Sequence, residues 1–193
     1  PFKIMEREED GSYSIEREIE EATTFLTSVI KYNPVVVAAN HNDFLDRWLI
    51  EVDWRKEKNK YTYLKYAKLK SDGELPLGIL AYEIGLKFGN KVKCLREDDS
   101  FIVKGVELGQ HGHIGSGGSR GSANQFKKLN TKMVTGHTHT PLKKDGLTTV
   151  GTLTKLRMGY NKGLSSWANS NALVFKNGKT QNLIIIDGEY TML

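Results

Sequence analysis

The sequence predicts a layered α/β domain whose functional edge is built from strand ends, and three observations carry that expectation. Helix-length segments dominate the first half, short apolar runs of strand length recur from Phe101 onward, and polar loops follow several runs directly. The chain has only five histidines, and all stand in three short stretches: Ala39-Asn40-His41-Asn42-Asp43, Gln110-His111-Gly112-His113 and Gly136-His137-Thr138-His139.

Each element has a local reason. Ser14 caps a helix expected over about residues 15 to 31, with Ile15, Ile19, Ala22, Leu26 and Val29 recurring on one face, and Asn33-Pro34 ends it. Pro34-Val35-Val36-Val37-Ala38-Ala39 is a short β-branched run of the kind covered on both faces, and it delivers Asn40 to Asp43 at its C-terminal end. Phe44, Leu45, Trp48 and Leu49 mark a further helix; residues 54 to 70 are rich in Lys and Tyr, and another helix is expected around Leu77 to Phe88.

The strand candidates beyond are Phe101-Ile102-Val103, Val106-Glu107-Leu108, Met133-Val134, Thr148-Thr149-Val150, Ala172-Leu173-Val174-Phe175 and Leu183-Ile184-Ile185-Ile186. Asn177-Gly178 between the last two is a hairpin turn signal. Gly115 to Ser122 has the composition of a linker, yet it lies between two histidine motifs, so a functional loop is expected there. There is no internal repeat and no low-complexity tract.

Hydrophobic residues make up 38% and charged residues 26%, ordinary for a soluble globular chain, and one domain is expected over residues 1–193. Lys and Arg exceed Asp and Glu by 28 to 23 and the pI is near 9.1, a balance that favours an anionic partner. Cys94 is the single cysteine, which excludes an intrachain disulfide. No apolar run approaches the roughly 18 residues of a bilayer span, so no membrane is expected and a cytoplasmic location is. Pro1 to Met5 lacks the order of a signal peptide, and the non-methionine start reads as a piece of a longer chain.

Taken singly, each histidine pair reads as surface or hydrogen-bonded imidazole. Five at the ends of apolar runs read as a site. Imidazole nitrogen suits Zn, Mn, Fe and Ni, and an amide oxygen such as that of Asn40 completes a mixed shell. The three stretches, in this order and spacing, resemble the last three motifs of the calcineurin-like metallophosphoesterases, over roughly residues 34 to 190. That family usually writes the first as Gly-Asn-His-Asp/Glu; here Ala39 replaces the glycine and Asn42 precedes Asp43. Gly117 to Ser122, and Tyr160 to Trp167 further on, are similar to phage-encoded members in particular, those of T5-type phages among them.

The resemblance implies a layered β-sandwich flanked by helices. It also implies two divalent ions, Mn foremost with Zn, Fe, Ni or Mg as alternatives. Asn40, His111 and His137 would hold one ion and His139 the other. His41 would stand beside the scissile phosphate and protonate the leaving oxygen, with Asp43 orienting it. In such sites ions about 3.5–4 Å apart activate water and clamp the phosphate for in-line attack. His113 would either touch the phosphate or buttress His111, and Arg120 would pair with substrate phosphate or remain a solvated loop arginine.

The family's first two motifs, Asp-x-His and Gly-Asp, supply the remaining ligands. None of the nine aspartates stands two before a histidine or directly after a glycine. The chain is therefore expected to be the C-terminal portion of a larger phosphoesterase, with half of a dinuclear site and little activity alone. A missing N-terminal segment of the same protein is its first expected partner. Phosphodiester cleavage in DNA, in a host cell if the chain is phage-encoded, is the expected reaction. Phosphomonoester or phosphoprotein hydrolysis is the alternative within the enzyme class, and a non-catalytic nucleic-acid or protein-binding module is the alternative outside it.

Overall fold

The computed structural model describes residues 14–159 and 161–192. The chain divides into two compact units: Pro1–Val36 with Asn40–Cys94, and Val37–Ala39 with Leu95–Leu193.

The first unit is mostly helical. Helix α1 (Ile15–Val29) begins where expected, with the Ser14 hydroxyl accepting from the Arg17 amide, and its buried side is Ile15, Ile19, Thr23 and Leu26. A 3-10 turn over Ile30–Tyr32 closes it, and Asn33 stops it at φ 52° before Pro34. Strand β1 is only Val35–Val36 and pairs in parallel with β2 (Lys93–Cys94). The run to Ala39 was expected to be strand throughout; pairing is confined to Val35 with Lys93 and Val36 with Cys94.

Helices α2 (Asp43–Glu51), α3 (Lys60–Ser71) and α4 (Gly78–Phe88) complete the unit. Ile15, Ile19, Trp48, Leu49, Tyr66 and Ile79 form its main core, and Leu26, Ile84 and Val92 a second cluster. Each such side chain, once removed from water, contributes about 1.5–3 kcal/mol. Glu57 is buried inside this core and is satisfied there: Trp48 Nε1, the Asn59 amide and Asn59 Nδ2 each donate to it at 2.9 Å.

The second unit carries the sheets. Strands β3 (Ile102–Val103), β4 (Val106–Glu107), β5 (Met133–Thr135), β6 (Leu142–Lys144) and β7 (Leu147–Thr149) form one mixed sheet in the order β3-β4-β5-β7-β6. β4, β5 and β7 run parallel, and β3 and β6 are antiparallel edges. Side chains alternate across it. Met133 and Leu147, cross-strand partners, pack on Phe126 of the short helix α5 (Ala123–Lys127), while Thr148 points the other way and shares a 2.7 Å hydrogen bond with Thr180.

Thr180 belongs to the second sheet, an antiparallel meander of β8 (Asn169–Val174), β9 (Thr180–Ile186) and β10 (Glu189–Met192). The Asn177-Gly178 turn joins β8 to β9 as expected, with Gly178 at φ 72° and its amide donating to Phe175 O at 2.9 Å. The architecture is mixed α/β, with helix and sheet on opposite faces of the five-stranded sheet. Among the described residues no helix is long and apolar enough to cross a membrane.

Candidate metal centre

Parallel pairing of β4 and β5 brings their C-terminal ends to one edge, the edge at which α/β sheets hold ligands. The chain leaving β4 carries Gln110 to His113, and the chain leaving β5 carries Gly136 to His139. The two loops are stitched together by the Gly136 amide donating to His111 O at 2.8 Å.

Three imidazoles meet there. The ring centroids of His111 and His137 lie 5.4 Å apart, those of His111 and His113 5.5 Å, and those of His113 and His137 6.0 Å. All three side chains are half-buried. His137 is the centre of a three-residue turn: the Thr138 amide donates to Gly136 O at 2.8 Å around a φ of 66°. A positive-φ turn of this kind is rare and strained outside glycine. His139 is also left-handed, at φ 59°. Its ring meets Trp167 edge-on at 4.2 Å, and its carbonyl accepts from the Ala168 amide at 3.2 Å.

Glycine makes the His111-Gly112-His113 turn possible. Gly112 has φ 108°, and a Cβ there would stand 3.1 Å from Thr135 Cβ. Gly121 closes the loop from the other side: its amide donates to His113 O at 2.9 Å, and a Cβ on it would fall 1.9 Å from Gly112 O. Gly115 to Ser122 is thus a shaped loop and not a linker. It contains a 3-10 turn over Ser116–Gly118 and an antiparallel bridge between Ile114 and Arg120, and Ser122 caps α5. The Arg120 side chain is exposed.

Two carboxylates that the sequence reading did not single out as site residues stand at this edge. Glu107 is buried on β4 and accepts from the Phe101 amide at 2.9 Å, the Gly109 amide at 2.6 Å and the Ser100 hydroxyl. Burial alone would raise its carboxyl; the hydrogen bonds from Ser100, Phe101 and Gly109 outweigh that and hold it below the usual range. Glu97 lies with Oε1 2.9 Å from His113 Nε2. Neither acid had a periodic or motif signal. Both sit in ordinary charged or alternating sequence.

In the first unit, Asn40 is half-buried and His41 and Asp43 are exposed. The His41 ring stacks on Phe44 at 5.1 Å and 21°, and Asp43 is the first residue of α2. The side-chain oxygen of Asn40 and Nδ1 of His113 are both buried without a hydrogen-bond partner in the protein. A bare buried acceptor costs about 1–3 kcal/mol. An amide oxygen in the first unit and an imidazole nitrogen in the second are each donor types that divalent cations accept.

No family model matches the chain, and no solved structure matches it. The chain is similar to Protein A1 of Escherichia phage T5, 33% identical over 165 residues that make up 81% of this chain. The match covers 30% of Protein A1, so the chain spans about three tenths of that relative's length.

Proposed function

We propose that this chain forms part of a divalent-metal-dependent phosphoesterase that cleaves phosphodiesters in DNA. One observation carries the reading: imidazoles from two separate motifs meet on one sheet edge, with His137 in a strained turn. Asn40, His111, His137 and His139 are the proposed ligands. Bound divalent ions, Mn²⁺ foremost, supply Lewis-acid polarisation of the phosphate and a nucleophile at neutral pH.

The chain's own side chains do the rest. His41, exposed and held by Phe44, donates a ring N–H proton to the leaving oxygen. Lys60, Tyr61, Leu64, Lys65 and Lys68 share one exposed face of α3, where Lys65 pairs with Glu83 and Lys68 with Asp72, pairs that a nucleic-acid phosphate would have to displace.

The test uses the chain together with the residues encoded before Pro1, where Asp-x-His and Gly-Asp are expected within about a hundred residues, one half-domain. Mn²⁺-dependent nicking of plasmid DNA and turnover of bis-p-nitrophenyl phosphate, both abolished by a chelator, are the expected results. Faster turnover of p-nitrophenyl phosphate would favour a phosphomonoesterase. DNA binding without hydrolysis at any metal would favour the binding-module reading, which the basic face of α3 also supports.

A further inference from the structure

The positive charge of this chain is concentrated in the second unit. Residues 108–186 hold eleven Lys and Arg against a single acid, Asp145, and Lys127 already pairs with that acid. The stretch therefore carries a net charge of +10 in a chain whose total is +5. The remainder of the chain is net acidic.

The fold gathers part of this charge at one end of the five-stranded sheet. β4 and β5 run parallel, and the histidine loops leave their C-terminal ends. At the opposite end stand Lys104 in the turn before β4, Lys132 just before β5, and Lys143 and Lys144 at the close of β6. The β8–β9 hairpin reaches that end too, since a Cβ on Gly178 of its turn would fall 2.6 Å from Lys104 O. An open cleft of about 680 Å³ lies beside the turn, lined by Lys143, Phe175, Lys176, Lys179 and uncharged neighbours. Lys143 donates to Thr180 O at 2.5 Å, and Lys176 and Lys179 are exposed. Among the described residues no acid pairs with these three ammonium groups. Phe175 is 44% exposed beside them.

Unneutralised ammonium groups around one cleft attract a polyanion. An open aromatic ring among them adds a stacking platform, the combination by which proteins hold single strands. We propose that this cleft binds single-stranded nucleic acid, with phosphates on Lys143, Lys176 and Lys179 and one base against Phe175. A duplex, an acidic peptide or a lipid headgroup offers Phe175 no free base to stack. The cleft lies at the end of the sheet away from the histidine edge, so it is a holding surface and goes beyond the phosphoesterase reading.

Fluorescence anisotropy of a labelled oligothymidylate, with the chain in EDTA so that no metal takes part, tests the cleft. Binding should be tighter than to a duplex of the same length and should weaken as salt rises. Lys176→Ala and Lys179→Ala should each flatten the log–log salt dependence by about 0.7, the share of one phosphate contact on a single strand. Phe175→Ala should weaken binding about 5–100-fold, the range of one lost stacked base, and leave that slope unchanged. Lys31→Ala combined with Lys91→Ala removes charge from the first unit and should change neither quantity. All of these side chains are exposed, and circular dichroism checks that each variant is folded.

No binding at low salt, preference for the duplex, wild-type affinity in Phe175→Ala, or equal losses in the cleft and first-unit variants would each overturn the proposal. Preference for phosphatidylglycerol vesicles over the oligonucleotide would overturn it as well. Oligothymidylate binding by a protein without phosphoesterase turnover would fail the phosphoesterase reading and keep this one. Turnover without oligothymidylate binding would do the reverse.

Discussion

His137 combines an uncommon backbone with a proposed chemical role, and the two can be separated. Its φ of 66° puts a Cβ in the left-handed region, which costs roughly 1–2 kcal/mol for any residue but glycine. His137→Gly should therefore be about 1 kcal/mol more stable than His137→Ala in urea unfolding, although both lose the imidazole. Equal stability would mean that the turn carries no strain. The proposed acid His41 offers a second comparison, in the catalytically complete protein. His41→Ala should keep its metal while DNA cleavage falls about 10²–10⁴-fold, the range of lost acid catalysis. His137→Ala should lose metal and turnover together. Cleavage of a p-nitrophenyl ester, whose leaving group needs little protonation, should suffer less in His41→Ala than cleavage of DNA. Equal losses on both substrates would remove the leaving-group role. The histidines were legible because rare residues concentrated in three motifs stand out in any sequence. Glu97 and Glu107 were not, because a carboxylate's partners are distant backbone and ring nitrogens that no spacing rule encodes.

At the level of elements, the helices were readable where an apolar face and a cap coincide, as at Ser14 with Ile15, Ile19 and Leu26. The Lys- and Tyr-rich stretch gave no such stripe, yet it contains α3, because Thr62 and Tyr66 alone are fully buried and the rest of the helix is amphipathic only weakly. Strands β2, β6 and β10 were missed for a different reason. They are two to four residues long, and pairing across the chain makes them strands more than their own pattern does. Glu107 ties β4 to the loop before β3, and its charge has a pH signature. Both its carboxyl and that of Glu57 lie below the ordinary range: burial raises each, and the hydrogen bonds they accept outweigh it. A depressed folded value means that the stabilisation is fully present above the unfolded carboxyl pKa, about 4.3, and is lost as pH falls through the folded value. The urea midpoint should therefore drop as pH goes from about 5 toward 3. Glu107→Gln should flatten that slope and cost about 1–3 kcal/mol at neutral pH through its imperfectly replaced hydrogen bonds. An unchanged slope would assign the acid sensitivity to other carboxylates.

For the molecule as a whole, the decisive quantity is the number of carboxylate ligands. Within its 193 residues the chain offers imidazoles and an amide oxygen at its motif positions but neither an Asp-x-His nor a Gly-Asp. Neutral donors give Mn²⁺ little electrostatic attraction, and hard divalent ions are held mainly by oxygen anions. The chain by itself is therefore expected to bind Mn²⁺ weakly and to turn over bis-p-nitrophenyl phosphate negligibly. Calorimetry with Mn²⁺ and a turnover assay on the same preparation check the two statements. If an added N-terminal segment supplies Asp-x-His and Gly-Asp, as the proposed phosphoesterase requires, Mn²⁺ affinity and turnover should rise together, because each added carboxylate contributes both charge and a fixed position. Tight binding of two Mn²⁺ ions with full turnover by the chain alone would show that ligands outside the three histidine motifs complete the centre. The search for them would then begin among the acids of residues 1–13, which lie outside the described structure.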